Sequence, residues 1–161
     1  TVKKIGEGEH LGEIQVTYPW LSDGNESQWV RTASLMAGGG RGSWFMPEVD
    51  DEVLLGFEHG HSQHPYVIGF LWNGKDRPPS ESTRERMIQS KNGHAIRFLD
   101  STPNAGDKGA LVIEDAHGNR IVLSNGKITI KSVAVLQIDA PTILLQGPGY
   151  KRIVSPNNNP I

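Results

Sequence analysis

The residues of this chain best equipped for chemistry are a close-set group of histidines, His59, His61 and His64. On a strand, His59 and His61 project to the same face, as two ligands of a metal ion do. Spacing alone, with no further ligand, is equally that of a polar hairpin loop, and no metal is assigned. Gly38-Gly39-Gly40-Arg41-Gly42-Ser43 has the glycine content of a phosphate cradle, but it lacks the Lys-Ser/Thr pair and the following helix that make such a loop work. It reads as a connection between strands. Glu48, Asp50, Asp51 and Glu52 could supply an acid and a base for glycoside cleavage. With no cleft-lining partners nearby they read instead as an acidic turn, and no catalytic residue is assigned. Trp20, Trp29, Trp44 and Trp72 could stack on bases or sugars, although large aromatics in a small β domain more often fill a core or a subunit contact.

Composition narrows the scaffold that must position these groups. Nineteen glycines and ten prolines in 161 residues favour short strands with many turns. A net charge of -2 provides no broad cationic face for phosphate backbones, which disfavours a general nucleic-acid binder. Without cysteine there is neither a disulfide framework nor a thiolate zinc site. No apolar run approaches the ~18 residues of a membrane span. The chain starts at Thr1 rather than methionine, which reads as a fragment of a longer polypeptide.

Gly12 to Pro19, Trp29 to Ser34, Glu52 to Glu58 and Tyr66 to Leu71 carry the β-branched and aromatic residues of strands, separated by turn formers such as Ser22 to Glu26. Five or so short strands in this space predict a small barrel of the OB type over residues 1–77, with a β-sandwich as the other possibility. Residues 78–95, opening on Pro78-Pro79, read as a neck. Ser82 and Glu85 have capping-box spacing there, enough for one helical turn.

Beyond Gly109 the pattern changes. Pairs of large aliphatics at i and i+2 recur, namely Ile121 and Leu123, Ile128 and Ile130, Leu136 and Ile138, Ile143 and Leu145, in steps of 7, 8 and 7 residues. Gly118-Asn119, Asn125-Gly126, Ala140-Pro141 and Gly147-Pro148-Gly149 punctuate them. Near Leu136 the register has an alternative, with Val133 and Val135 as the inward pair. So short an array cannot bury a core alone. Three intertwined copies, each strand pairing with a neighbouring chain and the aliphatic pairs filling one interior, satisfy it. The fold class is therefore all-β: an OB barrel followed, over residues 96–161, by an intertwined trimeric β-helix or β-prism.

Val16-Thr17-Tyr18-Pro19-Trp20, Asp23 to Arg31 and Gly42-Ser43-Trp44-Phe45-Met46-Pro47-Glu48-Val49-Asp50-Asp51-Glu52-Val53 closely resemble the central spike proteins of contractile injection machines. That family comprises the VgrG proteins of type VI secretion, phage baseplate spikes and the spikes of extracellular injection particles. Phe57 to Gly60, Pro65 to Gly69 and Asn73 to Asp76 extend the similarity, while Ser90 to Phe98 and Asp115 to Leu123 resemble the entry into the family's needle. The resemblance implies a non-enzymatic homotrimer that pierces a target envelope, with hub and tube proteins behind it and a PAAR-type tip protein or effector at the needle end. It implies no nucleic acid, no cofactor and only transient membrane contact. It also implies assembly in the cytoplasm into a phage-tail-like particle that is delivered to, or released outside, the cell. The interval Pro78 to Arg86 leaves no room for the lysozyme that some phage spikes insert. Histidines that hold a metal at certain needle tips have no counterpart here, because His59, His61 and His64 fall in the barrel. Lys151 to Ile161 lacks aliphatic pairing, as at the end of an array. A ligand-binding OB module for an oligonucleotide or oligosaccharide is the main rival.

Overall fold

The computed structural model describes residues 1–21, 26–102 and 106–154; of the turn expected at Ser22 to Glu26, residues 22–25 lie outside them, as does the tail from Ser155. The chain divides into two units, Thr1–Pro79 and Ser80–Ile161, and among the described residues all regular elements are strands apart from two single 3-10 turns.

In the first unit β1 (Val2–Ile5), β2 (Glu13–Val16) and β3 (Val30–Arg31) form an antiparallel sheet, and β6 (Glu52–Phe57) pairs with β7 (Pro65–Leu71). Two seams join them. Val67 O accepts from Ala33 N at 2.8 Å beside a parallel Thr32–Val67 bridge, while Val2 N donates to Asp51 O at 2.9 Å and Asp50 N to Val2 O at 3.0 Å. These bonds tie β3 to β7 and β1 to the turn that leads into β6, so the two sheets wrap around one core as in the expected small barrel rather than stacking as a sandwich. Its interior holds Val2, Ile14, Val16, Val30 and Val67, all nearly inaccessible, with Tyr18, Met46, Val53 and Leu55 packed around them. Aliphatic residues fill it because so narrow a barrel admits only medium-sized side chains. Trp20, Trp44 and Trp72 are accordingly excluded and lie 62–70% exposed, so of the two expected placements, core or subunit contact, the core is ruled out for them. A small hairpin, β4 (Ala37–Gly38) and β5 (Arg41–Gly42), projects between β3 and β6.

In the second unit β8 (Glu85–Gln89), β9 (Ala95–Leu99), β10 (Ala110–Glu114), β11 (Arg120–Ser124) and β12 (Lys127–Lys131) make one antiparallel meander in sequence order. β9, β10 and β11 have both edges paired within the chain, a connectivity the repeat pattern had assigned to neighbouring copies, and β8 and β12 are the edges of the sheet. Tight turns decide this. Asn125 and Gly126 both adopt positive φ, 47° and 75°, the two-residue hairpin turn whose twist matches antiparallel strands. At Ser82 the chain makes a single turn and no helix, Glu85 N donating to Ser82 O at 3.2 Å. Ser82 Oγ accepts from Arg84 N at 3.3 Å in a turn that leads directly into β8. Strand pairing prevails because Arg86 and Ile88 continue the alternation of the sheet. A separate hairpin pairs β13 (Ile143–Gly147) with β14 (Tyr150–Val154).

Candidate assembly face

Alternation along a strand and register between strands sort the side chains of the meander onto two faces. On one face Ile88, Ile96, Ile113, Ile121 and Ile130 stand directly opposite one another, strand to strand. Beside that row runs a second one, Arg86, Phe98, Leu111, Leu123 and Ile128. Two positions from each strand are thus apolar, with Arg86 as the exception. Among the described residues they stay partly open: Ile121 and Leu123 are 37% and 39% exposed, Ile130 55% and Ile128 69%. Burying the exposed remainder would contribute about 1 kcal/mol for each large side chain, an upper estimate.

The opposite face is mixed and better buried, with Met87, Leu99, Val112 and Val122 interleaved with Glu85, Arg97, Glu114 and Thr129. Arg97 lies at its centre, bonding Glu114 Oε1 at 2.8 Å on one neighbouring strand and Glu85 on the other. Ser80 Oγ donates to Glu85 at 2.6 Å. Those bonds, Ser80's first and Arg97's second, hold the Glu85 carboxyl below its usual range; Glu114 and Glu85 in turn hold the Arg97 guanidinium above its usual value. Val112 is buried on this face, opposite Arg97 in register.

At the turn between β10 and β11, Asp115 accepts from Asn119 Nδ2 at 2.7 Å, which does most to depress its pKa, and from Asn119 N and His117 N, both at 2.9 Å. Asn119 Oδ1 in turn accepts from Val133 N at 2.9 Å and holds the chain as it leaves β12. Ser132 Oγ closes the next bend, donating to Val135 O at 2.9 Å.

Of the aliphatic residues expected to form a common core, Ile121, Leu123, Ile128 and Ile130 share one face. Leu136 lies outside any strand but joins Ile113, Ile121, Ile130 and Val135 around a hollow of about 440 Å³. Ile138 stands apart, 60% exposed in irregular chain, and Ile143 and Leu145 belong to the β13–β14 hairpin. The expected spacing breaks at Ser132 because the bend interrupts the strand period. Ile88, Ile96, Phe98, Leu111 and Ile113 are additional members of the face, and their i, i+2 spacing was the signal that could have found them.

The other candidates resolve into local structure. His59 sits in a 3-10 turn at φ 48°, so it and His61 do not share a strand face; His61 and His64 have ring centroids 6.5 Å apart. Among the described residues no three His, Asp or Glu groups converge on a metal-sized site. Gly38 to Gly42 is the β4–β5 hairpin. Asp51 Oδ2 accepts from Glu48 N at 2.7 Å, and Glu52 Oε2 accepts from Asn73 Nδ2 at 3.3 Å. Trp29 stacks on His10 at 4.6 Å between ring centroids. Leu35, Met36, Trp44, Phe45, Ile68 and Phe70 line a groove of about 950 Å³ in the first unit.

Residues 1–72 match the type VI secretion system/phage-baseplate injector OB domain. The chain is 33% identical over 114 residues to the type VI secretion system spike protein VgrG5 of Pseudomonas aeruginosa, an alignment covering 68% of this chain and 14% of that protein. It is 28% identical over 114 residues to VgrG4b of the same organism, covering 68% of the chain and 13% of the relative. Against VgrG3 of Vibrio cholerae the identity is 33% over 75 residues, covering 44% and 7%. The chain thus spans about a seventh or less of the length of these spike proteins.

Proposed function

This chain belongs to the family of VgrG and phage-baseplate spike proteins, and from that premise we propose that it is a non-enzymatic segment of a homotrimeric spike that pierces a target envelope. In this reading residues 1–77 form an OB collar, followed by a neck that ends ahead of β8. The prism begins at β8 rather than at residue 96, because Ile88 already belongs to the apolar row.

The observation that carries the reading is the uncovered apolar face. Its two rows are ~7 Å apart, whereas five strands at ~4.8 Å spacing make it ~19 Å long, so its long direction crosses the strands. Three such faces turned inward about an axis in that direction stack into rungs, each rung burying two side chains from every chain. Antiparallel hydrogen bonds lie perpendicular to the strands and hence along that axis. A thrust from behind then presses strand on strand instead of shearing one ladder past another, and envelope piercing requires no bond-making chemistry. Hub and tube proteins would stand behind the collar, with a PAAR-type tip protein or effector ahead of the prism. The particle would assemble in the cytoplasm and touch the target membrane only in passing; no helix among the described residues is long and apolar enough to cross a membrane.

A second reading, a ligand-binding OB module for an oligosaccharide or oligonucleotide, draws on the groove with Trp44, Phe45 and Phe70 beside Arg41. Thermal unfolding at protein concentrations spanning about a hundredfold distinguishes the two. Mass action raises the midpoint of an assembly with concentration. A midpoint independent of concentration contradicts the spike and favours the ligand-binding barrel.

A further inference from the structure

We infer that Arg86 and Asp100 form a register lock for the assembly of three chains, an inference that rests on the spike reading above. The rows on the apolar face are otherwise uniform. Aliphatic side chains repeat at every strand, so copies of this face fit one another almost as well after sliding along the axis. A slip of two strands, ~9.6 Å, even restores strand direction. Arg86 is the one charged residue in either row, and it stands at the β8 end, opposite Phe98.

Its guanidinium is paired with Asp100 of the same chain, two residues beyond Phe98 on the same face. Asp100 N donates to Arg84 O at 2.8 Å, which extends the ladder and fixes the carboxylate beside Arg86. Both side chains remain more than half exposed, 66% and 57%, so one chain by itself gives the pair little strength. Three chains in register bring their pairs to one level, where a guanidinium with five donors can serve its own Asp100 and a neighbour's. A slipped copy instead presses the charge against Phe98 or Leu111 of its neighbour, where a charge without a counterpart is costly. A polar residue in an apolar seam sets register in coiled coils by the same logic. A staggered assembly also leaves rungs uncovered, and uncovered rungs recruit further chains, so loss of the lock produces open-ended growth.

Sedimentation velocity of four proteins at neutral pH tests the lock. The parent should run as a single species of three chains. Arg86→Leu should convert much of the material into a spread of heavier species. Asp100→Asn adds no apolar surface, and it should weaken association by about tenfold or more because three guanidinium groups then meet without carboxylates. The double exchange Arg86→Asp with Asp100→Arg should restore the single species. If Arg86→Leu and Asp100→Asn both remain the parental species with the parental association constant, register is set elsewhere and the lock is refuted while the spike stands. If the double exchange folds, by its circular dichroism, but still spreads into heavier species, the pairing role is refuted. A parent that runs as one chain overturns the three-chain reading and the lock together.

Discussion

Ile130 and Thr129 are neighbours in β12 with opposite surroundings, and substituting aspartate at each in turn separates an assembly face from an ordinary surface. Ile130 stands opposite Ile121 in the apolar row and is 55% exposed, whereas Thr129 stands opposite Val122 on the other face. Ile130→Asp removes about 1 kcal/mol of prospective burial per chain. It also places a carboxylate beside the axis, where exclusion from water without a partner costs on the order of 3 kcal/mol. Three symmetric copies bring the loss to about 12 kcal/mol, comparable to the whole free energy of a nanomolar association. The variant should therefore sediment as single chains at neutral pH, and regain association as the pH falls and the carboxylate takes up a proton. Thr129→Asp should sediment like the parent. A stable three-chain Ile130→Asp, or a Thr129→Asp that dissociates, would show that the face is not buried as argued.

The Arg97 network predicts a pH dependence of unfolding. Glu85 has a folded pKa below its ordinary value, so its contribution is present at neutral pH and is lost as the pH falls through the carboxylate range toward that lowered value. Urea unfolding of the parent and of Glu85→Gln should differ most at neutral pH, and the difference should shrink as the pH falls through and below the ordinary carboxylate range; a constant difference would exclude the linkage. Gly109 has φ 83°, and a Cβ built there meets Leu99 O at 1.7 Å. Gly109→Ala should therefore cost more than about 1 kcal/mol in urea unfolding, and a parental midpoint would contradict that backbone geometry.

Much of the second unit was legible because its signals are local. Asn125-Gly126 dictates a hairpin, and the i, i+2 aliphatic pairs on either side of it fix which residues share a face. The same alternation at Arg86 and Ile88 was hidden by one charge and by the prolines upstream, which made that segment resemble a neck, while Ile96 with Phe98 and Leu111 with Ile113 fell within the prism but outside the run of regular steps. Beyond Lys131 the period failed, because the bend at Ser132 and its tether to Asn119 depend on contacts fourteen residues apart. In the barrel, hydrophobic alternation located β2, β3, β6 and β7. It missed β1, where two lysines stand between Val2 and Ile5, and it could not distinguish a tryptophan that fills a core from one left outside a barrel too narrow for it.

The central claim, that three copies of this chain bury their apolar faces together, is tested most directly by the molar mass in solution, measured by light scattering on the eluting peak at micromolar concentration. The account predicts three times the chain mass of 17.6 kDa. A single peak at the mass of one chain, with the sheet still folded by circular dichroism, would contradict it.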